Sequence, residues 1–205
     1  VISCVSCILV AATLASAQVI EFESNGLRYQ TLTRNAVTVM FAPLPVHIHE
    51  YAVIQVAVSN GAAGPVTIRP EDFTFERADG LPTKATPARD VVSELISKGT
   101  RGDVIKLVST YEMALFGMSR LHPTNGYESR RQQYLAEVSS TKIKAAAAAS
   151  AVALVATKLA AGQSTDGAVF FFSEGKTLGA GHLVMRNSAG EYKFNFDDGE
   201  AGKKY

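Results

Sequence analysis

Residues 51 to 75 read YAVIQVAVSNGAAGPVTIRPEDFTF, and this stretch decides the fold. Ile54, Val56 and Val58 share one face of a two-residue period while Val53, Gln55 and Ala57 share the other. A strand that is apolar on nearly both faces belongs in the middle of a sheet. Ser59, Asn60 and Gly61 predict a turn, Gly64-Pro65 a second break, and Val66 to Ile68 a short extended piece. Phe73 and Phe75, two apart, point together into a core, and Asp79-Gly80, Pro82 and Pro87 keep the following loop out of the sheet.

Working backwards, residues 18 to 45 alternate as strands do. Val37, Val39 and Phe41 take one face, Thr38 and Met40 the other, and Pro43 and Pro45 are expected to stop the pairing. Residues 1 to 17, VISCVSCILVAATLASA, carry no charge and end in Ala15-Ser16-Ala17, the small-residue pattern cleaved by signal peptidase. They predict a signal peptide whose start lies upstream of Val1, leaving residues 18 to 205 as one domain. Cys4 and Cys7 would leave with the signal. Neither fits a lipoprotein signal, since no Leu lies three positions before Cys7, so the expected location is secreted or periplasmic.

Working forwards, the period changes from two to about 3.6. Thr86 and Pro87 open a first helix with Val91, Val92, Leu95 and Ile96 on one stripe and Gly99 at its end. A second fits Asp103 to Phe116, with Val104, Leu107, Val108, Tyr111 and Leu115 on one face. Asn125 and Glu128 form a capping-box pattern for a third and longest helix, 125–161, which no Gly or Pro interrupts before Gly162. Its Ala-rich centre is too short and too weakly apolar to span a membrane. Ala168 to Phe172 then read as a buried strand, and residues 182–186 and 191–196 as a hairpin with Tyr192, Phe194 and Phe196 inward. Strands at both ends need one shared sheet system to hide their edges. The fold class is therefore mainly β, an antiparallel β-sandwich interrupted by a helical insertion at about 87–162.

The sequence from Pro70 to Phe75, PEDFTF, the Asp79-Gly80 turn and GQSTDGAVFF at 162 to 171 resemble the immunoglobulin-like domains of unknown function found on bacterial secreted proteins and lipoproteins. The resemblance covers about Leu32 to Gly80 and Gly162 to Phe196 and implies an immunoglobulin-like sandwich. It implies no catalytic motif, and the three-helix insertion departs from the family's pattern.

Twenty Lys and Arg against 19 Asp and Glu leave a formal charge of +1, which disfavours nucleic acid as a partner. Walker, dinucleotide and His-Glu-x-x-His patterns are absent, so no cofactor and no enzyme activity are expected. The candidate metal ligands are His47 and His49, whose imidazoles share a side if the segment is extended. Glu50, His122 or His182 could complete a copper or zinc site. Ser164 with Asp166 and His182 is the grouping nearest a hydrolase triad, although Ser164-Thr165-Asp166-Gly167 reads as a turn. Arg101-Gly102-Asp103 matches an integrin-binding tripeptide but is better explained as the start of the second helix. The expected function is binding or structural association with another envelope protein, or with a second copy, through helix 125–161 or through a sheet face. A metal-binding protein using His47 and His49 is the first alternative, and an envelope hydrolase the second.

Overall fold

The computed structural model describes residues 18–78, 80–118 and 140–196. Eleven strands and three α-helices are found there, and most of the strands form two antiparallel sheets. The first sheet has the order β1 (Ile20–Ser24), β2 (Leu27–Arg34), β3 (Val37–Ile48), β4 (Tyr51–Asn60) and β9 (Ser164–Phe172). The second has the order β11 (Gly190–Phe196), β10 (Gly181–Asn187), β6 (Phe73–Arg77) and β7 (Thr83–Lys84). A two-stranded ribbon pairs β5 (Val66–Ile68) with β8 (Thr157–Leu159). The helices are α1 (Ala88–Lys98), α2 (Arg101–Met118) and α3 (Thr141–Val152).

The Tyr51 to Asn60 segment is the centre of the molecule, as its two apolar faces require. It pairs with β3 on one side and with β9 on the other, from Tyr51 opposite Phe172 to Ser59 opposite Ser164. The two ends of the chain therefore share one sheet. Ile54, Val56 and Val58 join Val37, Val39, Phe41, Phe73, Phe75, Phe171 and Phe194 in a core between the two sheets. Val53 and Ala57 join Tyr29, Met40, Phe170, Leu95, Leu107 and the alanines of α3 in a second core under the helices. Both faces of the first sheet are thus covered over β3, β4 and β9, while β1 at its edge stays exposed, and the layers run helices, first sheet, second sheet. The helical segment is a layer with its own buried core and not an appendage.

Five expectations change. The loop after Gly80 does not stay out of the sheets: Thr83 and Lys84 pair with Phe75 and Thr74 as β7, past Pro82, and the Ala85 amide donates to the Phe73 carbonyl at 3.1 Å. Pairing does not end at Pro43 and Pro45: the ladder shifts register between Pro43 and His47 and resumes at His47 opposite Ala52. A bulge accommodates residues that lack a ladder donor. Thr86 does not cap α1; its amide donates to the Phe170 carbonyl at 2.7 Å, and Pro87 precedes the helix without a side-chain cap. Ser164 to Gly167 is not a turn but the buried start of β9.

The largest change is in the third helix. Its proposed start at Asn125 lies outside the described residues, as do residues 1–17, and the described helix spans only 12 residues, ending at Val152. The Leu154 amide then donates to the Ala168 carbonyl at 2.9 Å, and residues 157 to 159 pair as a strand with β5. Burial of Leu154 and Leu159 in the intersheet core offsets the helical hydrogen bonds given up, a tertiary override of propensity.

Four consecutive strands forming a meander in one sheet differ from the immunoglobulin arrangement, in which strands A, B, E and D form one sheet and C, F and G the other.

Candidate functional site

Alternation along β9 turns Asp166, Ala168 and Phe170 towards the helices. Asp166 is 1% exposed. A carboxylate so far from water requires hydrogen bonds, and here Tyr111 of α2 donates its hydroxyl to Oδ2 while Gln55 Nε2 of β4 donates to the same oxygen at 3.1 Å. Tyr111 and Gln55 are both fully buried. The cluster ties α2 to two adjacent strands. Gln55 Oε1 has no hydrogen-bond partner among the described residues. Sequence reasoning missed this cluster because Asp166 was assigned to a turn. The available signal was Gln55, a polar residue inside an otherwise apolar strand.

Ser164 and Asp166 lie together on β9, but His182 belongs to β10 in the other sheet. Leu183, its neighbour, packs into the intersheet core, so alternation turns His182 to the opposite, outer face, across from Glu76 and Asn195. Both sheets stand between the serine and the imidazole, and the structure does not assemble the triad.

His47 and His49 are not in one extended segment. His49 occupies the tight turn between β3 and β4 with φ +52°, which takes it out of the strand alternation. His47 Nε2 is hydrogen-bonded to the Lys176 carbonyl oxygen at 2.7 Å. His49 Nε2 instead lies 3.3 Å from Asp103 Oδ2, a charge contact when the imidazole is protonated. Asp103 is itself 5% exposed and closes the capping box of α2: its carboxylate accepts from the Thr100 amide and hydroxyl, each at 2.7 Å, while its amide donates to Thr100 Oγ1 at 3.3 Å. The Arg101-Gly102-Asp103 tripeptide is therefore the first turn of α2. Among the described residues no group of three or more His, Cys, Asp or Glu is placed to hold a metal ion; His122 lies outside them.

Burial dominates the tyrosine electrostatics. The Tyr51 phenol is pushed up to about 12, first by desolvation and then by the Glu94 carboxylate beside it. Tyr29, whose hydroxyl donates to the Ala114 carbonyl at 2.9 Å, and Tyr192 are also raised, chiefly by desolvation. On the outer face of the second sheet the Arg186 guanidinium, 2.7 Å away, holds the Glu76 carboxyl below its usual range, with Lys193 assisting at 3.3 Å.

The sheet edges differ among themselves. The outer edge of β9 is covered where Thr86 and Leu154 donate to the Phe170 and Ala168 carbonyls. The outer edge of β11 is covered by β2 and the turn after it. Gln30 donates to the Asn195 carbonyl, Arg34 to that of Glu191 and Asn35 to that of Ala189, all at 2.8 Å. β7 has only two residues. No hydrogen bond from the described residues reaches the outer edge of β1, whose Ile20 is 61% and Phe22 36% exposed. An unpaired strand edge is a template for another strand.

Fold and site together define a mainly β protein of antiparallel sheets, with the three α-helices of the described residues on one face of the principal sheet. No family model matches the chain, and no curated protein is significantly similar. Among solved structures, a Bacillus subtilis protein described as a lipoprotein, ycdA, is similar over 82% of this chain and 38% of its own length, at 13% identity and a TM-score of 0.38. The chain thus spans well under half of that protein. Among the described residues no helix is long and apolar enough to cross a membrane.

Proposed function

We propose that this chain is a non-enzymatic binding or structural protein, secreted or periplasmic, that associates with another protein through the outer edge of β1. The contrast among the sheet edges carries the reading: among the described residues β9 and β11 are covered, whereas nothing pairs with the outer edge of β1, which also carries two exposed apolar side chains. The Ala15-Ser16-Ala17 pattern supports the compartment. The internal use of Asp166 and Asp103, and the separation of Ser164 from His182, support a role other than hydrolysis. The immunoglobulin-like resemblance adds a precedent for sandwich domains on secreted proteins, although the β1 to β4 meander is this chain's own.

The test is cross-linking of the full chain in a bacterial envelope extract, beside the Glu23→Pro variant, with exchange of the β1 amides measured in parallel. The expected result is a cross-linked partner that protects the Glu21 and Glu23 amides and is lost in Glu23→Pro. Cross-links indifferent to Glu23→Pro, or an ester, peptide or glycoside turnover abolished by Ser164→Ala, would overturn it.

A further inference from the structure

The chemistry of β1 narrows the partner, an inference that rests on the association reading above. Asn25 and Gly26, both with positive φ, form a two-residue turn, so Ser24 and Leu27 are the pair that closes the hairpin. In an antiparallel ladder hydrogen-bonded and open pairs alternate. Ser24, Phe22 and Ile20 therefore direct their backbone groups at β2, and Glu23 and Glu21 direct theirs outward. The side chains divide as cleanly. Phe22 lies on the helix side, stacked on Tyr29 with ring centroids 5.0 Å apart, and Ile20 shares that side. Glu21 and Glu23 lie on the other, with Arg28 of β2 2.5 Å from Glu21. Glu23 has no ion pair among the described residues.

We propose that the edge of β1 receives an extended segment of another protein in which Lys or Arg alternates with apolar residues. The basic positions stand opposite Glu21 and Glu23, and the apolar ones cover Phe22 and Ile20. A second copy of this chain is the wrong occupant on charge grounds. Two-fold pairing of β1 with itself, centred on residue 21, 22 or 23, places Glu21 against its own copy, Glu21 against Glu23, or Glu23 against its own copy. Like charges directly opposite destabilise a ladder. A basic strand converts the same positions into attractive cross-strand pairs, with Glu23 the stronger anchor because Arg28 already engages Glu21.

The probe is a fluorescein-labelled peptide, Lys-Val-Lys-Phe-Lys-Val-Lys, with a twin carrying Glu in place of each Lys, titrated against the full chain by anisotropy. The basic peptide is expected to saturate the protein and to slow exchange of the Glu21 and Glu23 amides; the acidic twin is not. Glu23→Pro removes an outward donor and should abolish binding. The Glu21→Lys/Glu23→Lys variant keeps every backbone donor, should weaken the basic peptide roughly tenfold, and should acquire affinity for the acidic twin. Equal binding of the two peptides, no binding of the basic one at about 1 mM, or a solution dimer that Glu23→Pro dissolves would overturn the proposal. If the peptide fails while Glu23→Pro still erases the cross-linked partner, association at β1 stands and the basic strand falls. If both fail, both readings fall.

Discussion

Gly167 lies so close beneath Leu154 that a Cβ at position 167 would stand 2.4 Å from the Leu154 Cα and 2.5 Å from its nitrogen. That approach lets the chain leaving α3 cross the edge of β9 and bond to Ala168. Because the atoms met are backbone, no rotamer change can relieve the clash. Gly167→Ala is expected to destabilise the protein by about 3 kcal/mol, the upper part of the usual overpacking range. Urea unfolding of the variant would check this, and a loss under about 1 kcal/mol would mean the crossing is looser than described.

Tyr111 and Gln55 both donate to Asp166, so removing either leaves a buried acceptor less satisfied. Tyr111→Phe, which keeps the ring, should cost about 1–3 kcal/mol. The double variant with Gln55→Leu should show non-additive losses, because the two donors share one oxygen. Additivity within experimental error in a double-mutant cycle would separate the residues energetically.

Tyr29, Tyr51 and Tyr192 all have phenols raised above the ordinary 10.0, burial being the first cause in each. The unfolded chain releases these protons at lower pH than the folded one. Their stability contribution is therefore complete below pH about 10 and is lost as pH rises through the folded values, which for Tyr51 means towards about 12. Thermal midpoints measured from pH 8 to pH 12 should fall above pH 10, less steeply in Tyr51→Phe. A midpoint flat to pH 12 would contradict the burial of these hydroxyls.

Asp103 serves both Thr100 and His49. Asp103→Ala should cost about 1–2 kcal/mol by loss of the capping box, and Thr100→Ala about 1 kcal/mol. His47→Ala/His49→Ala should leave copper and zinc titration isotherms unchanged, because the two imidazoles are engaged by different partners. A binding heat lost in that double variant would restore the metal reading.

Much of the strand pattern was legible in order along the chain. Period-two alternation in 37–41, 53–58 and 192–196 marks which side chains face a core, because a strand's geometry is local and pleating forces the alternation. Even the central place of residues 51–60 was readable, since only a strand covered on both faces is apolar on both. The Gly99 terminator and the first turn of α2 were legible for the same reason: backbone conformation and capping are decided by a few neighbouring residues. Residues 119–139, which carry His122 and the start of the third helix as predicted, lie outside the described structure.

What only the tertiary structure decided depends on residues distant in the chain. Nothing between Ala153 and Leu159 breaks a helix, yet the segment leaves helical geometry because β5 and Ala168 supply hydrogen bonds and the intersheet core buries Leu154 and Leu159. The Asp166 cluster was illegible because its donors come from residues 55 and 111, and the distance between His47 and His49 in chemical terms follows from partners at residues 176 and 103. Alternation and capping act over a few residues and are written into the text; the choice of partner for a buried polar group is made only when remote segments meet.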